Sequence, residues 1–202
     1  MADLFYTISG PSEAQYTEKR SKFLAYAFPV CTREEVREHV AQMQKRYYDA
    51  RHVCWACMLG SARADFLSND NGEPSGTAGK PILGQINSLG ITNVLVVVVR
   101  YFGGIKLGTS GLILAYRTAA RMALEAADIV ERHDMARIRF NFPYTAMNAA
   151  MKLTKDFDIT IVDRAFDNTC SMTLEINADA APLLQARIAD IDGATLADGS
   201  DV

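Results

Sequence analysis

The pattern of apolar and polar positions is clearest in the middle of the chain. Five apolar residues run without a break from Leu95 to Val99, and their length and β-branching predict a strand buried on both faces. Arg100, Tyr101 and Phe102 follow, and a glycine-rich turn comes next. From about residue 109 the apolar positions take the spacing of one helical face, at Leu112, Ile113, Tyr116, Ala119, Ala120, Ala123 and Leu124.

This order of strand, glycine turn and helix predicts a place where an anion is held. The first N–H groups of a helix have no partner inside the helix, and the helix dipole adds partial positive charge at the same end. The turn contains Gly103, Gly104, Gly108 and Gly111. The sequence therefore identifies a site more readily than a function.

Shorter patterns surround the central strand in the first half. Thr32 and Glu35 have the spacing of a capping box and predict a helix behind them. Residues 68–81 are rich in turn formers and predict a loop, after which a short apolar helix ends at Gly90. The segment 16–22, before the second predicted strand, is polar and basic. Strands are predicted at 4–8, 23–30, 52–59 and 64–67.

The second half has its own periodicity. Ile138, Phe140 and Phe142 alternate with polar residues and predict a half-buried strand. Thr145 and Asp179 are predicted to cap two helices. Strands are predicted at 159–166 and 169–176, with a hairpin at 167–168, and a last strand at 194–197. The resulting order β-α-β-β-α-β is the ferredoxin-like pattern, so the chain is predicted to be α/β (α+β) with domains at 1–133 and 134–202.

Charge and composition narrow the function classes. The chain has 202 residues, of which 49% are hydrophobic, with a net charge of −3. Residues 1–133 carry 15 Lys and Arg against 13 Asp and Glu, or +2, whereas residues 134–202 carry 6 against 11, or −5. Neither half is a polycation, which disfavours general duplex binding. No secretory signal and no membrane-length apolar run is evident, so a cytoplasmic protein without membrane partners is expected.

Cys54 and Cys57 form a C-x-x-C whose surroundings predict a strand rather than a helix start. Residues three apart in a strand point to opposite faces, so these thiols are expected to be buried and structural. A zinc site needs a second pair of ligands, which the sequence lacks. No metal and no cofactor is predicted.

The candidate binding site combines the loop at 68–81 with the glycine turn. Gly79-Lys80 has a likeness to a phosphate-binding P-loop, but Pro81 stands where a magnesium-binding hydroxyl belongs. If both segments adjoin helix N-termini, they line one concave patch that suits phosphate or carboxylate. The predicted site residues are Ser75, Gly76, Thr77, Gly79, Lys80, Arg100, Tyr101, Gly103, Gly104, Lys106 and Gly108.

Several of these residues have a structural alternative. Arg100 is either an anion contact or half of an ion pair with Asp70 or Glu73. Tyr101 and Phe102 are more often core residues than stacking platforms, and His52 is more often a core histidine than a base. No arrangement of nucleophile, base and acid is recognisable, so the enzyme question stays open and binding is favoured.

Several motifs in order resemble the IMPACT family, in particular its bacterial YigZ-type members. They are Gly84, the run Val94–Val99 with the following 100–104, Leu107-Gly108, the segment Gly72–Pro81, and the strand pattern His52-x-Cys54-x-Ala56. Asp70 is followed by Asn71, where the family often has a second aspartate.

The resemblance implies more than the periodicity does. It implies an N-terminal domain similar to the second domain of a small-subunit ribosomal protein and to a domain of elongation factor G, followed by a ferredoxin-like domain. Eukaryotic relatives regulate the pathway that controls translation initiation, by competing for a scaffold protein.

Three hypotheses about the function therefore remain. The leading hypothesis is a non-catalytic regulator linked to translation, which binds RNA, the ribosome or a regulatory protein through the glycine-rich anion-binding face. The alternative is a binder or enzyme for a small phosphorylated metabolite at the same loop. The third is an interaction module that uses only the second domain, whose outward strand positions carry no aromatic residue for base stacking.

Overall fold

The computed structural model describes residues 4–166 and 169–197. It divides into one compact unit at Phe5–Arg132 and another that contains the residues from His133 onward. The helices are α1 (Arg33–Arg46), α2 (Gly79–Ser88), α3 (Gly108–Glu125), α4 (Met147–Asp156) and α5 (Ala181–Ala189). The strands are β1 (Phe5–Ile8), β2 (Ser12–Glu18), β3 (Ser21–Pro29), β4 (His52–Leu59), β5 (Asp65–Asn69), β6 (Val94–Tyr101), β7 (Ile129–Arg132), β8 (Met135–Phe142), β9 (Ile159–Phe166), β10 (Cys170–Asn177) and β11 (Thr195–Leu196).

The first unit is built on an antiparallel sheet with the strand order β2-β3-β6-β4-β5. Strand β6 occupies the centre, and its residues from Val94 to Arg100 are all buried. Its Val98 is paired with Ala25 on one neighbour and Cys54 on the other. The burial on both faces that the run of valines predicts is confirmed.

Three layers give this unit two separate apolar cores. Helices α2 and α3 pack on one face of the sheet, where Ile82, Ile86 and Tyr116 meet Val96 and Val98. Helix α1 covers the other face with Val36, Val40 and Met43, against Val97 and Val99. Because side chains alternate along β6, one strand supplies both cores.

The sequence analysis missed two strands. The interval between the strands predicted at 4–8 and 23–30 contains the edge strand β2, whose residues alternate between exposed and half-buried. Its polar residues give no apolar alternation, because only one side of an edge strand is partly covered. The short strand β7, which pairs with β1 in a two-stranded sheet, was not predicted.

The second unit follows the order β8, α4, β9, β10, α5, β11, which is the β-α-β-β-α-β order predicted from periodicity. Its antiparallel sheet has the strand order β11-β8-β10-β9. The predicted hairpin residues 167–168 lie outside the described residues. Helices α4 and α5 pack on one face of this sheet with Ala150, Leu153, Leu184 and Ile188.

The predicted helix caps had mixed outcomes. Thr32 caps α1 as expected, since its hydroxyl accepts the N–H of Glu35 at 3.2 Å, and the Glu35 carboxylate accepts the N–H of Cys31 at 2.6 Å. The caps at Thr145 and Asp179 are wrong. A 3₁₀ turn precedes each of those helices, and Asn177 caps the second turn. Within the described ranges, no helix is both long and apolar enough to cross a membrane.

Candidate functional site

The glycine turn after β6 is shaped by the β2–β3 hairpin beside it. Gly103 donates its N–H to Ser21 Oγ at 3.2 Å, and a Cβ at Gly103 would collide with the backbone of Arg20. Gly104 and Gly108 have φ of 86° and 71°, in the left-handed region that favours glycine. The turn therefore requires glycine, both for its close approach to the hairpin and for its path into α3.

A cavity of about 370 Å³ opens beside this turn. Its walls come from the start of β4, the loop after β5, the end of β6 and the first turn of α3. Leu107 and Leu112 give it an apolar part. The charged and aromatic residues that line it are Arg51, His52, Glu73, Arg100, Phe102 and Lys106.

Arg100 forms a buried ion pair with Glu73 at one wall of the cavity. Arg100 Nη1 lies 2.6 Å from Glu73 Oε1, and the side chains are only 7% and 3% exposed. The Tyr116 hydroxyl donates to the same oxygen at 2.8 Å. Arg100 is therefore half of an ion pair, which is one of the two possibilities considered from the sequence. Its partner is Glu73 rather than Asp70.

The polar network continues to Cys54. The Cys54 thiol lies 3.3 Å from the Tyr116 hydroxyl and donates to the Asp70 carbonyl oxygen at 3.0 Å. Burial raises the pKa of Cys54 to about 12, and burial together with the neighbouring Cys54 and Glu73 raises the pKa of Tyr116. Both groups are thus neutral at physiological pH and hold the network as hydrogen-bonding groups rather than as charges.

His52 is fixed at the edge of the same cavity. Its Nδ1 lies 2.8 Å from the carbonyl oxygen of Asn71, and a carbonyl only accepts, so the proton belongs on Nδ1. The Nε2 atom lies 4.0 Å from Glu73 Oε1, and the side chain is 12% exposed. His52 is therefore mostly buried and held in one orientation, in keeping with the apolar surroundings of this position in the sequence.

Asp70 organises the loop of residues 70–79 from within. Its carboxylate accepts the N–H groups of Gly76 at 2.8 Å, Ala78 at 3.0 Å and Gly79 at 2.8 Å. Burial opposes the charged form, but these three donors and the nearby Lys80 lower the pKa of Asp70 below its usual value. The backbone donors of this loop thus already hold an anion that belongs to the protein.

The structure does not bring the predicted site residues together at one place. Arg100, Lys106 and Gly108 line the cavity described above. Gly76 and Lys80 instead line a groove of about 730 Å³ between α2 and α3, together with Arg117 and Arg121.

The remaining predicted residues have other positions. Thr77 is buried and donates its hydroxyl to the carbonyl of Pro74 at 2.6 Å, whereas Ser75 is exposed. Tyr101 donates to Asp49 at 2.8 Å, and this bond raises the pKa of Tyr101 to about 12.

Phe102 is the residue whose environment the sequence analysis misjudged. It was favoured as a core residue, but 52% of it is exposed. The guanidinium carbon of Arg100 lies 5.7 Å from the centroid of its ring. Phe102 borders both the cavity and a neighbouring depression that Arg20 and Lys22 line.

We call Phe102 and the surrounding Arg20, Lys22, Arg51 and Lys106 the basic-aromatic face. All four cationic side chains are exposed, and none forms an ion pair with another described residue. Sequence reasoning missed Arg20, Lys22 and Arg51 as site residues. The basic run 19–22 was the available signal, but nothing local links it to Phe102, which lies 80 residues later.

The hairpin that carries Arg20 has an unusual backbone. Lys19 and Arg20 are the two residues of the β2–β3 turn, with φ of 46° and 66°. A two-residue turn with both φ values positive favours Asn-Gly, and larger residues adopt it with strain. Two cations thus occupy a turn whose conformation does not favour them.

The two thiols of the C-x-x-C face apart, as the strand periodicity predicts. Cys54 belongs to the core under α2 and α3, and Cys57 belongs to the core under α1. All four cysteines are free. In the described ranges, no group of three or more His, Cys, Asp or Glu side chains is placed to hold a metal ion.

A family model described as the Impact N-terminal domain matches residues 19–124, which is just over half of the chain. The chain belongs to the IMPACT family. This confirms the resemblance drawn from the motifs, and the matched range contains all the residues of the cavity and of the basic-aromatic face.

Bacterial IMPACT family members are similar over most of this chain. YvyE of Bacillus subtilis is 34% identical over 72% of this chain and 67% of its own length. YigZ of Escherichia coli is 29% identical, covering 88% of both. A solved structure described as the crystal structure of a hypothetical protein superposes with a TM-score of 0.75 at 26% identity, covering 97% of both chains. The IMPACT relationship therefore extends through both units.

Proposed function

We propose that this IMPACT-family chain is a binding protein linked to translation, and that it engages single-stranded RNA, free or within the ribosome, through the basic-aromatic face. The observation that carries the proposal is the exposed ring of Phe102 among four cations that have no ion-pair partner in the described structure.

The chemistry of this face fits a single strand better than a duplex. Proteins bind single-stranded nucleic acid by combining cationic side chains along the backbone with aromatic rings on which bases stack. Lys22 and Arg20 line the depression that Phe102 borders, and Arg51 and Lys106 line the cavity that Phe102 also borders. A strand that crosses the ring therefore meets positive charge before and after the stacked base.

The charge distribution supports a local contact rather than general attraction. The whole chain has a net charge of −3, so it repels nucleic acid at long range, and only a concentrated patch overcomes this. The link to translation rests on the family resemblance, which implies a first domain similar to domains of a ribosomal protein and of elongation factor G.

The test is RNA binding by a Phe102→Ala variant. Stacking on one aromatic ring contributes about 1–3 kcal/mol, so affinity for a fluorescent oligouridine, measured by anisotropy, should fall by about 5- to 150-fold. Phe66→Ala is the matched control, because Phe66 is 56% exposed on β5 and lies outside the basic-aromatic face. It should bind as the unmodified protein does.

Co-sedimentation with ribosomes provides the second readout for the same two variants. The proposal expects recovery with ribosomes to fall for Phe102→Ala and not for Phe66→Ala. Equal RNA affinity and equal ribosome recovery of both variants would refute the proposed face.

A further inference from the structure

The cavity beside Phe102 has a net positive lining. Arg51, Arg100 and Lys106 bring three positive charges to its walls and Glu73 brings one negative charge. With histidine counted as neutral, the net charge of the lining is +2. A molecule with two negative charges therefore matches the charge of this cavity best.

The N-terminus of α3 opens onto the same cavity. Gly108 and Thr109 line it, and among the described residues no side chain caps the first turn of this 18-residue helix. Its first N–H groups therefore remain available as donors, with the partial positive charge of the helix dipole behind them.

A second observation at this cavity points to a ligand. Arg100 lines the wall and is more than nine-tenths buried, yet its Nε has no hydrogen-bond partner in the described structure. Glu73 occupies only Nη1. Buried polar groups in proteins are normally paired, so an Arg100 guanidinium that Glu73 engages through one nitrogen leaves hydrogen-bonding capacity at this wall of the cavity.

The charge and the size together select one class of ligand. A phosphate monoester carries about −1.5 to −2 at neutral pH, whereas the internal diester of a nucleic acid strand carries one negative charge per phosphate. The cavity volume of about 370 Å³ lies at the lower end of the range of small-ligand sites, roughly 300–1,000 Å³. It is therefore suited to one nucleotide rather than to a longer segment.

We propose that this cavity binds the terminal phosphate monoester of a nucleotide, with the phosphate at the N-terminus of α3 beside Lys106 and the base against Phe102. The inference rests on the proposed RNA function when the nucleotide is the end of a strand. A free mononucleotide offers the same chemistry. The two sources are separated by the experiment.

The experiment compares three oligouridines of the same length: one with a 5′-phosphate, one with a 3′-phosphate and one with neither. Uridine 5′-monophosphate serves as the free competitor, and uridine as its control. We expect one phosphorylated oligomer to bind about tenfold more tightly than the unphosphorylated one, because hydrogen bonds to a charged phosphate are stronger than those between neutral groups. The monophosphate should compete where uridine does not.

Two variants locate the effect. Lys106→Gln/Thr109→Ala removes an exposed cation and an exposed hydroxyl at the start of α3, and should abolish the preference for a terminal phosphate. Lys22→Gln removes one charge from the basic-aromatic face outside the cavity. It should weaken all three oligomers alike and keep the preference. Thermal unfolding checks that both variants are folded.

Each outcome is decisive for one of the two proposals. Equal affinity for the three oligomers, with no competition by uridine 5′-monophosphate, overturns the phosphate site and leaves RNA binding intact. Binding of the monophosphate without binding of any oligomer refutes the RNA function and assigns the cavity to a free mononucleotide. A preference that persists in Lys106→Gln/Thr109→Ala places the phosphate elsewhere and overturns the inference.

Discussion

Arg100 and Glu73 form an ion pair of 2.6 Å in which both side chains are more than nine-tenths buried. Arg100 ends the fully buried part of β6, and Glu73 belongs to the loop after β5. The ion pair therefore links the loop to the central strand. It also fixes one wall of the cavity, so stability and site geometry depend on the same contact.

Removing one member of this pair should destabilise the protein strongly. Arg100→Ala leaves the Glu73 carboxylate buried without its counter-charge, and losses of this kind are about 3–5 kcal/mol. Lys106→Ala is the control, since Lys106 is exposed and unpaired in the described structure, and its cost should stay within about 0.5 kcal/mol. Urea unfolding measures both. Similar midpoints for the two variants would contradict the structural role of Arg100.

The carboxylate of Asp70 should make stability sensitive to acid. Three backbone donors and Lys80 outweigh the effect of burial and depress its folded-state pKa below the reference value of 3.8. A depressed pKa gives stability that is complete above the unfolded-state pKa and is lost as the pH falls through the folded-state pKa. The contribution of Asp70 should therefore be constant from pH 7 to about 5 and decline below about pH 4.

The Asp70→Asn variant isolates this contribution, because asparagine retains one acceptor oxygen but does not titrate in this range. Urea midpoints of both proteins should be followed from pH 7 down to the acid limit of folding. The difference between them should shrink below about pH 4. A difference that stays constant over the whole range would rule out a depressed pKa at Asp70.

The four cysteines should differ sharply in reactivity. Cys31 is exposed, whereas Cys54, Cys57 and Cys170 are buried, and burial raises the pKa of Cys54 to about 12. Since the thiolate is the reactive form and must be accessible, a thiol reagent should modify Cys31 before the other three in the native protein. In urea it should modify all four. Mass spectrometry of the product identifies the site. Rapid native modification of Cys54 would show that its environment is more open than the structure indicates.

The outward face of β8 and β10 should contribute little to RNA binding. The outward positions of β8 and β10 include Arg137, Arg139, Thr173 and Glu175 and carry no aromatic residue, and Arg137 is paired with Glu175 at 2.9 Å. Arg137→Gln/Arg139→Gln in the full chain should therefore bind oligouridine within about twofold of the unmodified protein. A larger loss than that of Lys22→Gln would move the RNA contact to this sheet.

The sequence predicted the features that local chemistry decides. The run from Leu95 to Val99 is apolar at every position, which determines both the strand and its burial on two faces. The Thr32 cap and the opposite orientation of Cys54 and Cys57 also follow from neighbours within a few residues. The IMPACT motifs were recognisable because each of them is also a short segment of neighbouring residues.

The features that the sequence did not predict depend on residues far apart in the chain. Phe102 is exposed next to the point where Gly103 packs against the backbone of Arg20, a contact that no local pattern indicates. Asp70 is a different case, because it accepts its N–H groups from within the predicted loop 68–81, whereas the sequence analysis considered it only as a partner of Arg100. Strand β2 was missed because an edge strand with polar side chains has no apolar period to detect.

The turn formed by Lys19 and Arg20 also affects what stabilising substitutions would do to this protein. Replacing the pair by Asn-Gly relieves two left-handed, non-glycine residues, each of which costs of order 1 kcal/mol or more, and should raise the melting temperature. The same change deletes a cation of the basic-aromatic face. If the proposed RNA contact is made by this face, a screen for heat resistance would select variants with weaker RNA binding, so thermal stability and the proposed function are opposed at this hairpin.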